Sequence, residues 1–217
     1  MSINISMLNA TGKLSNHTSL IENKIQYSLD RIKDYFAIDC IDITVTPYHK
    51  GDESPSGIGG YSLSPHRVEL LMDCDREDLD KVIENELPAV LAHEIHHSIR
   101  ISLGIPSETL GQQIVTEGMA CHFEVLVTEG KVPSLFESIK DHDWRVLLEQ
   151  MSPVINKKNQ SVNKYFLGST PDVFPKYAGY WVGFNLISRY LEKYKTSEIE
   201  LVGMDSQRFF NMQLCQQ

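Results

Sequence analysis

The stretch that most constrains this chain is Glu86-Leu-Pro-Ala-Val-Leu-Ala-His-Glu-Ile-His-His-Ser-Ile-Arg100. Leu87, Val90, Leu91, Ile95, Ile99 and Ile101 give it a broad apolar surface, as a largely buried helix has. The same stretch carries His93, Glu94, His96 and His97, and taking ionisable groups out of water is costly unless something organises them. On a helix, positions i and i+4 share a face with their Cβ atoms about 5–6 Å apart, so His93 and His97 can reach one metal ion. His-Glu-x-x-His is the pattern in which two histidines hold zinc and the adjacent glutamate works on a water. Glu94 is placed to take that water's proton. His96 points about a quarter turn away and is assigned to packing or a surface hydrogen bond. The competing reading is a core helix whose histidines are satisfied by hydrogen bonds. Pro88 suits a first helical turn, and Gly104-Ile-Pro106 suits a stop.

Catalytic zinc sites use three protein ligands and keep one position for water, so a third is expected downstream. Ser107 to Gly130 reads as the next helix, with Ser107 as N-cap and Gly130 past its end. Glu117 lies in its middle, 117 − 97 = 20 positions after His97, which leaves room to end one helix, reverse the chain and present a carboxylate from another. Gly118 costs a helix about 1 kcal/mol relative to alanine, which is understandable where two helices approach closely. On the same helix His122 projects about 140° from Glu117 and Glu124 about 20°. Glu124 is two turns further on, too far to share an ion with Glu117. The metal set expected is therefore His93, His97 and Glu117.

His-Glu-x-x-His followed about twenty residues later by Glu117-Gly118-Met119-Ala120 resembles the gluzincin metallopeptidases, in which a glutamate on the following helix is the third zinc ligand. More closely, the chain resembles the YjaZ-like family of predicted Zn-dependent proteases, from Gly59-Gly60 through Leu-Ala-His-Glu-Ile-His-His to Gly179-Tyr180. The resemblance implies Zn2+ as cofactor and peptide hydrolysis as activity. Many gluzincins carry an acidic residue four positions after the glutamate ligand to orient a histidine; here that position is Cys121, so the orienting group must come from elsewhere. In gluzincin-like enzymes the strand edging the cleft pairs with the substrate main chain. Gly59 to Tyr61 is the candidate here, the alternative being a bulged edge strand. The Gly179-Tyr180 pair resembles a feature of the YjaZ-like family, and a phenol there can donate to a developing oxyanion. Tyr180 is the first candidate and Tyr177 the second, against an aromatic helix face buried in the core.

Lys and Arg number 20 against 29 Asp and Glu, a net charge of −9, and no basic run offsets it, which argues against nucleic acid and anionic membrane surfaces as partners. A peptide or protein substrate is the expected partner; oligomeric state is not legible. The first residues lack a basic start and an apolar core of signal-peptide length, and no run is long enough to span a bilayer, so the expected location is cytoplasmic. Four cysteines show no Cys-x-x-Cys pairing, which points to buried thiols.

Residues 2–8 read as a short strand, 20–36 as an amphipathic helix, and 40–46 as a half-buried strand closed by Pro47. Segment 49–57 is a loop by composition; its His49, like His66, is a minor candidate ligand. Ile58–Leu63 and Arg67–Asp73 read as a hairpin, and Asp75–Asp80 as a short acidic helix leading to the metal helix. Beyond the Glu117 helix, 135–151 carries a helical pattern, 157–170 reads as a loop or flap over the cleft, 174–194 as an aromatic helix, and a last helix runs from Gln207 to Met212. Gly179 and Gly183, four apart, would let the aromatic helix pack closely on a neighbour. The fold class expected is α+β and zincin-like: one domain of 217 residues, with a small mixed sheet and the active-site helix in 1–104 and a mostly helical part in 105–217. The activity expected is zinc-dependent hydrolysis of peptide bonds with Glu94 as general base. The rivals are a zinc-binding regulatory module without turnover and a zinc hydrolase of a non-peptide bond.

Overall fold

A computed structural model describes residues 2–48, 56–168 and 173–211. His49 and most of the loop 49–57, part of the proposed flap, and Met212 lie outside the described residues. The chain divides into two compact units, one made of 1–102 with 124–131 and the other of 103–123 with 132–217.

The first unit is built on a four-stranded sheet. Its strands are β1 (Ser2–Met7), β2 (Cys40–Tyr48), β3 (Ile58–Ser64) and β4 (Arg67–Asp73), in the order β1-β2-β4-β3. β1 and β4 run parallel to β2, whereas β3 is antiparallel to β4 and forms an edge. Strand alternation puts Ile43, Val45, Val68, Leu70 and Met72 on one face, all buried. Each such side chain contributes about 1.5–3 kcal/mol on leaving water. The opposite face is more polar and more exposed, with Asn4 Nδ2 donating to Asp42 at 2.8 Å and the half-buried Thr46 to Glu69 at 3.2 Å, beside exposed Tyr61 and Leu63. Helices α1 (Thr18–Ile32) and α2 (Leu79–Ser102) pack against each other, and α2 lies on β3 and β4.

Two sequence expectations are corrected in this unit. Pro47 does not close β2, which continues to Tyr48. Asp42 N donates to His66 O and Leu8 N donates to Val45 O, so alternation turns the main chain of residue 47 toward β1, which has already ended at Met7. The N–H that proline lacks therefore has no ladder partner to lose. The short acidic helix and the metal helix are one 24-residue helix with Pro88 inside it rather than in its first turn. Leu79, Val82, Ile83 and Leu87 are buried along its early turns, and that burial outweighs the single hydrogen bond the proline removes.

The second unit is helical. It begins with most of α3 (Leu110–Val127), whose last turn from Glu124 onward belongs to the first unit, and continues through α4 (Trp144–Met151), α5 (Ala178–Tyr194), α6 (Glu198–Leu201) and α7 (Gln207–Asn211). Ile114, Met119, Phe136, Leu147, Phe166 and Leu186 are among the buried residues of its core. α3 starts later than Ser107 because Thr109 makes a better cap. The Thr109 hydroxyl accepts from Gln112 N at 3.2 Å, and Gln112 Oε1 accepts from Thr109 N at 3.0 Å, a reciprocal box that fixes the first turn. Segment 135–151 is broken into a 3-10 turn (Ser134–Ser138) and α4, because Asp143 caps a new helix by accepting from Arg145 N at 2.9 Å. Within 157–168 the expected loop contains one π turn, Asn163–Leu167, with Tyr165 and Phe166 buried. The architecture is α+β, with the small mixed sheet in the N-terminal half and a mostly helical C-terminal half.

Candidate metal centre

α2 is buried on nearly every side around its middle, and His93, Glu94 and His96 are buried with it while His97 is half-buried. The i, i+4 spacing does what helix geometry requires: the His93 and His97 rings meet edge to face with centroids 4.6 Å apart. His96, a quarter turn round, is 1 % exposed, so it is a packed residue rather than a surface one.

Glu94 leans onto the edge strand. A Cβ at Gly60 would lie 2.5 Å from Glu94 Cγ and 2.7 Å from its Oε1, closer than side chains approach one another. Glycine at 60 leaves the space that the Glu94 side chain occupies, and a Cβ there would force that side chain to move. Two residues along the same face of β3, the Ser62 hydroxyl is within hydrogen-bond reach of Glu94 Oε2 at 3.0 Å and also meets the Glu94 main-chain oxygen. Gly59 to Tyr61 pair in regular register with Leu71 to Glu69, and the register of this edge strand shifts only beyond them, between Ser62 and Ser64.

His93 is oriented from α3. Its Nδ1 lies 2.5 Å from Glu124 Oε1, both groups being buried. A carboxylate only accepts, so Nδ1–H donates and the lone pair of the ring is left on Nε2. Glu124 thus stands where an acid could orient His93, a place the Cys121 position does not fill. The α3 turn bearing Glu124 is itself fastened. Arg31 of α1 donates to Val127 O at 2.8 Å and to Glu129 at 2.8 Å, and Lys131 pairs with Glu86 of α2 at 2.6 Å. Glu129 is in the left-handed region (φ 57) and Gly130 N donates to Val125 O, which closes the helix end.

Among the described residues two sets of side chains bring ligand atoms to within 4.8 Å of one another: His93, His97 and Glu117, and His93, Cys121 and Glu124. The second set is a hydrogen-bonded pair with a thiol nearby rather than a cation pocket. Two ligands at about 2 Å from a tetrahedral zinc stand roughly 3.3 Å apart. Nδ1 and the Glu124 carboxylate are already 2.5 Å apart. The first set has the donor types and number of a catalytic zinc site, two imidazoles and one carboxylate, with one imidazole already fixed by an acid behind it. His66 belongs to neither set; its Nδ1 lies 3.3 Å from Cys40 Sγ on the exposed sheet face.

The other sequence candidates fall in the second unit. α3 and α5 touch through bare backbone: a Cβ at Gly118 would lie 2.3 Å from Gly183 C, and one at Gly183 would lie 2.1 Å from Ile114 O. The close helix approach expected at Gly118 and Gly183 is therefore present, while Gly179 makes room for the Phe166 ring instead. Tyr180, three positions before Gly183, is half-buried and edge-on to Phe166 at 5.2 Å. Tyr177 is buried in the left-handed region (φ 69) at the start of α5 with its hydroxyl unpaired among the described residues. His122 turns away to α5, stacking on Phe184 and placing Nε2 3.0 Å from Phe184 O and 3.0 Å from Ser188 Oγ; burial pulls its pKa below the usual imidazole value.

Glu124 and Ser62 are the residues that sequence reasoning did not place in the site. Glu124 carried a signal, its 20° projection from Glu117; Ser62 carried only its spacing of two from Gly60. A family model described as a predicted Zn-dependent protease (DUF2268) matches residues 20–211. No curated protein and no solved structure matches the chain.

Proposed function

Because the chain belongs to the DUF2268 family of predicted Zn-dependent proteases, we propose that it is a zinc-dependent peptidase in which Glu94 is the general base and His93, His97 and Glu117 hold the ion. The observation that carries the reading is the approach of those three ligand groups to within 4.8 Å beside a buried glutamate held against an edge strand. When bound, zinc supplies Lewis-acid polarisation of a carbonyl and a more acidic water. Everything else is the work of side chains. Glu94 takes a proton from the attacking water and returns it to the leaving amine, which needs no covalent intermediate on the protein. Glu124 holds His93 in the tautomer whose Nε2 is a donor to metal.

The exposed edge of β3 suits an extended peptide, since strand pairing satisfies the substrate main chain and delivers its carbonyl to the strand that carries Gly60 and Ser62. Tyr180 is the proposed donor to the developing oxyanion, supported by the Gly118–Gly183 contact, which brings the start of α5 against the part of α3 that bears Glu117. A location in the cytoplasm remains part of this reading. Among the described residues no helix is long and apolar enough to cross a membrane.

The deciding experiment pairs zinc stoichiometry with peptide-library cleavage for wild type and Glu94→Gln. Zinc retained with cleavage lost by about 10²–10⁴-fold is the expected result. A zinc-loaded wild type inert toward every peptide, yet active on esters or other acyl substrates, would move the assignment to a non-peptide hydrolase. Inertness toward both would leave a zinc-binding module.

A further inference from the structure

Glu94 is the one buried acid on α2 that touches another element through both its side chain and its main chain, and the element is β3. The Ser62 hydroxyl has a single proton and two acceptors on the same residue, the Glu94 carbonyl and Oε2. Ser98, one turn along α2, brings its own hydroxyl to 3.5 Å from Ser62 Oγ, at the limit of a hydrogen bond. Opposite, Oε1 and Cγ of Glu94 lie over the bare Gly60 backbone. The two carboxylate oxygens are therefore in different surroundings: Oε2 is engaged by a hydroxyl, and Oε1 faces a residue that offers no side chain.

From this we infer that Ser62 and Gly60 together are the positioning device for the general base, with Ser62 engaging Oε2 so that Oε1 is the oxygen that receives the proton of water. The inference rests on the peptidase reading above and deepens it. A free glutamate explores many rotamers, and displacing a catalytic group by about 1 Å costs on the order of 10²-fold in rate. β3 removes that freedom from one side by a hydrogen bond and from the other by a surface shaped to the side chain. The edge strand thus has two tasks at one place, presenting main chain to the substrate and aiming the base.

The test uses the zinc-loaded full chain with a cleavable peptide, in Ser62→Ala, Ser62→Thr and Gly60→Ala, each made with Glu94 intact and with Glu94→Gln. Ser62→Ala is expected to lower kcat by about 10–10²-fold with KM and zinc content unchanged, and Ser62→Thr, which keeps the hydroxyl, to restore most of the loss. Gly60→Ala, which displaces the Glu94 side chain without touching a metal ligand, is expected to lower kcat similarly. Ser62→Ala should not reduce the residual rate of the Glu94→Gln protein further, because that hydroxyl acts only through the carboxylate. An unchanged kcat in Ser62→Ala, a loss confined to KM or to zinc, or an equal loss on the Glu94→Gln background would overturn the inference. If the wild type cleaves no peptide, the peptidase reading fails by itself, and the contact is then read from thermal unfolding midpoints. Strictly additive shifts for Ser62→Ala and Glu94→Gln would overturn the positioning role as well.

Discussion

At position 124 a carboxylate sits 2.5 Å from the imidazole that α2 presents at 93, and under the proposed zinc reading its consequence is for metal affinity rather than for the fold. Glu124→Gln keeps the size and an acceptor but removes the charge that makes Nε2 a stronger donor. Zinc affinity measured by chelator competition should fall about 10–100-fold, while urea unfolding of the apo protein changes little by comparison. An unchanged affinity would mean that the Glu124 carboxylate leaves the basicity of His93 untouched. The i, i+4 pair is legible because helix spacing alone dictates it, and the grouping of Glu117 with it because twenty positions leave room to reverse the chain, whereas the adjoining Gly118 answers to α5. Glu124 lies on the same helical face as Glu117, but projection alone does not separate a carboxylate that can bind an ion from one that hydrogen-bonds a histidine. Ser62 and Gly60 were illegible as partners of Glu94 because nothing local relates residue 62 to residue 94. His122 gives a second prediction at this scale. Burial depresses its pKa in the folded chain, while the unfolded chain titrates near the ordinary imidazole value of about 6.5. Below that value the unfolded chain binds the extra proton and the folded chain resists it, so the stability His122 contributes is present above about pH 6.5 and is lost as pH falls toward its folded pKa. Urea midpoints from pH 7.5 down to 5.5 should fall more steeply for wild type than for His122→Gln, whose amide can still donate to Phe184 O.

Among the elements, the crossing of α3 and α5 is the most demanding. Replacing a helical glycine by alanine ordinarily gains up to about 1 kcal/mol from propensity. At Gly118 the new Cβ would meet Gly183 backbone at 2.3 Å, and at Gly183 it would meet the Ile114 carbonyl at 2.1 Å. Neither obstacle is a side chain that can swing away, so the helices must separate and overpacking of about 1–3 kcal/mol or more outweighs the propensity gain. Gly118→Ala and Gly183→Ala should each lower the denaturant midpoint, and a stabilised Gly118→Ala protein would show that the helices are not in backbone contact. The two glycines announced this contact in the sequence, since a residue that weakens a helix needs a packing reason. Element boundaries were less legible for a shared cause: local signals competed with tertiary ones. Pro88 resembled a helix start, but the run of buried residues on both sides of it makes one long α2. Ser107 resembled a cap, but the Thr109–Gln112 box is the stronger one. The apolar periodicity across 135–151 concealed Asp143, whose capping geometry splits the segment.

For the molecule as a whole, the α+β class followed from strand alternation in the N-terminal half and helical periodicity after it, signals carried by many residues at once. The order β1-β2-β4-β3 was beyond them, because strand order depends on which edges pair. The proposed zinc ligands come from α2 and α3, 117 − 93 = 24 positions apart at their extremes, and an unfolded chain does not hold three such groups at one ion. Binding to the folded state alone therefore adds stability of RT ln(1 + [L]/Kd), about 2.7 kcal/mol when free zinc is 100 times Kd. For a chain of this length each kcal/mol at the midpoint is worth about 2–4 °C, so saturating zinc should raise Tm by roughly 5–11 °C over the chelated protein. The same shift should persist in Glu94→Gln, whose ligands are intact, and collapse in His97→Ala and Glu117→Gln, which lose one each. A shift that survives Glu117→Gln but disappears in Cys121→Ser would transfer the ion from the catalytic set to the thiol beside Glu124, and with it the chemistry proposed for Glu94.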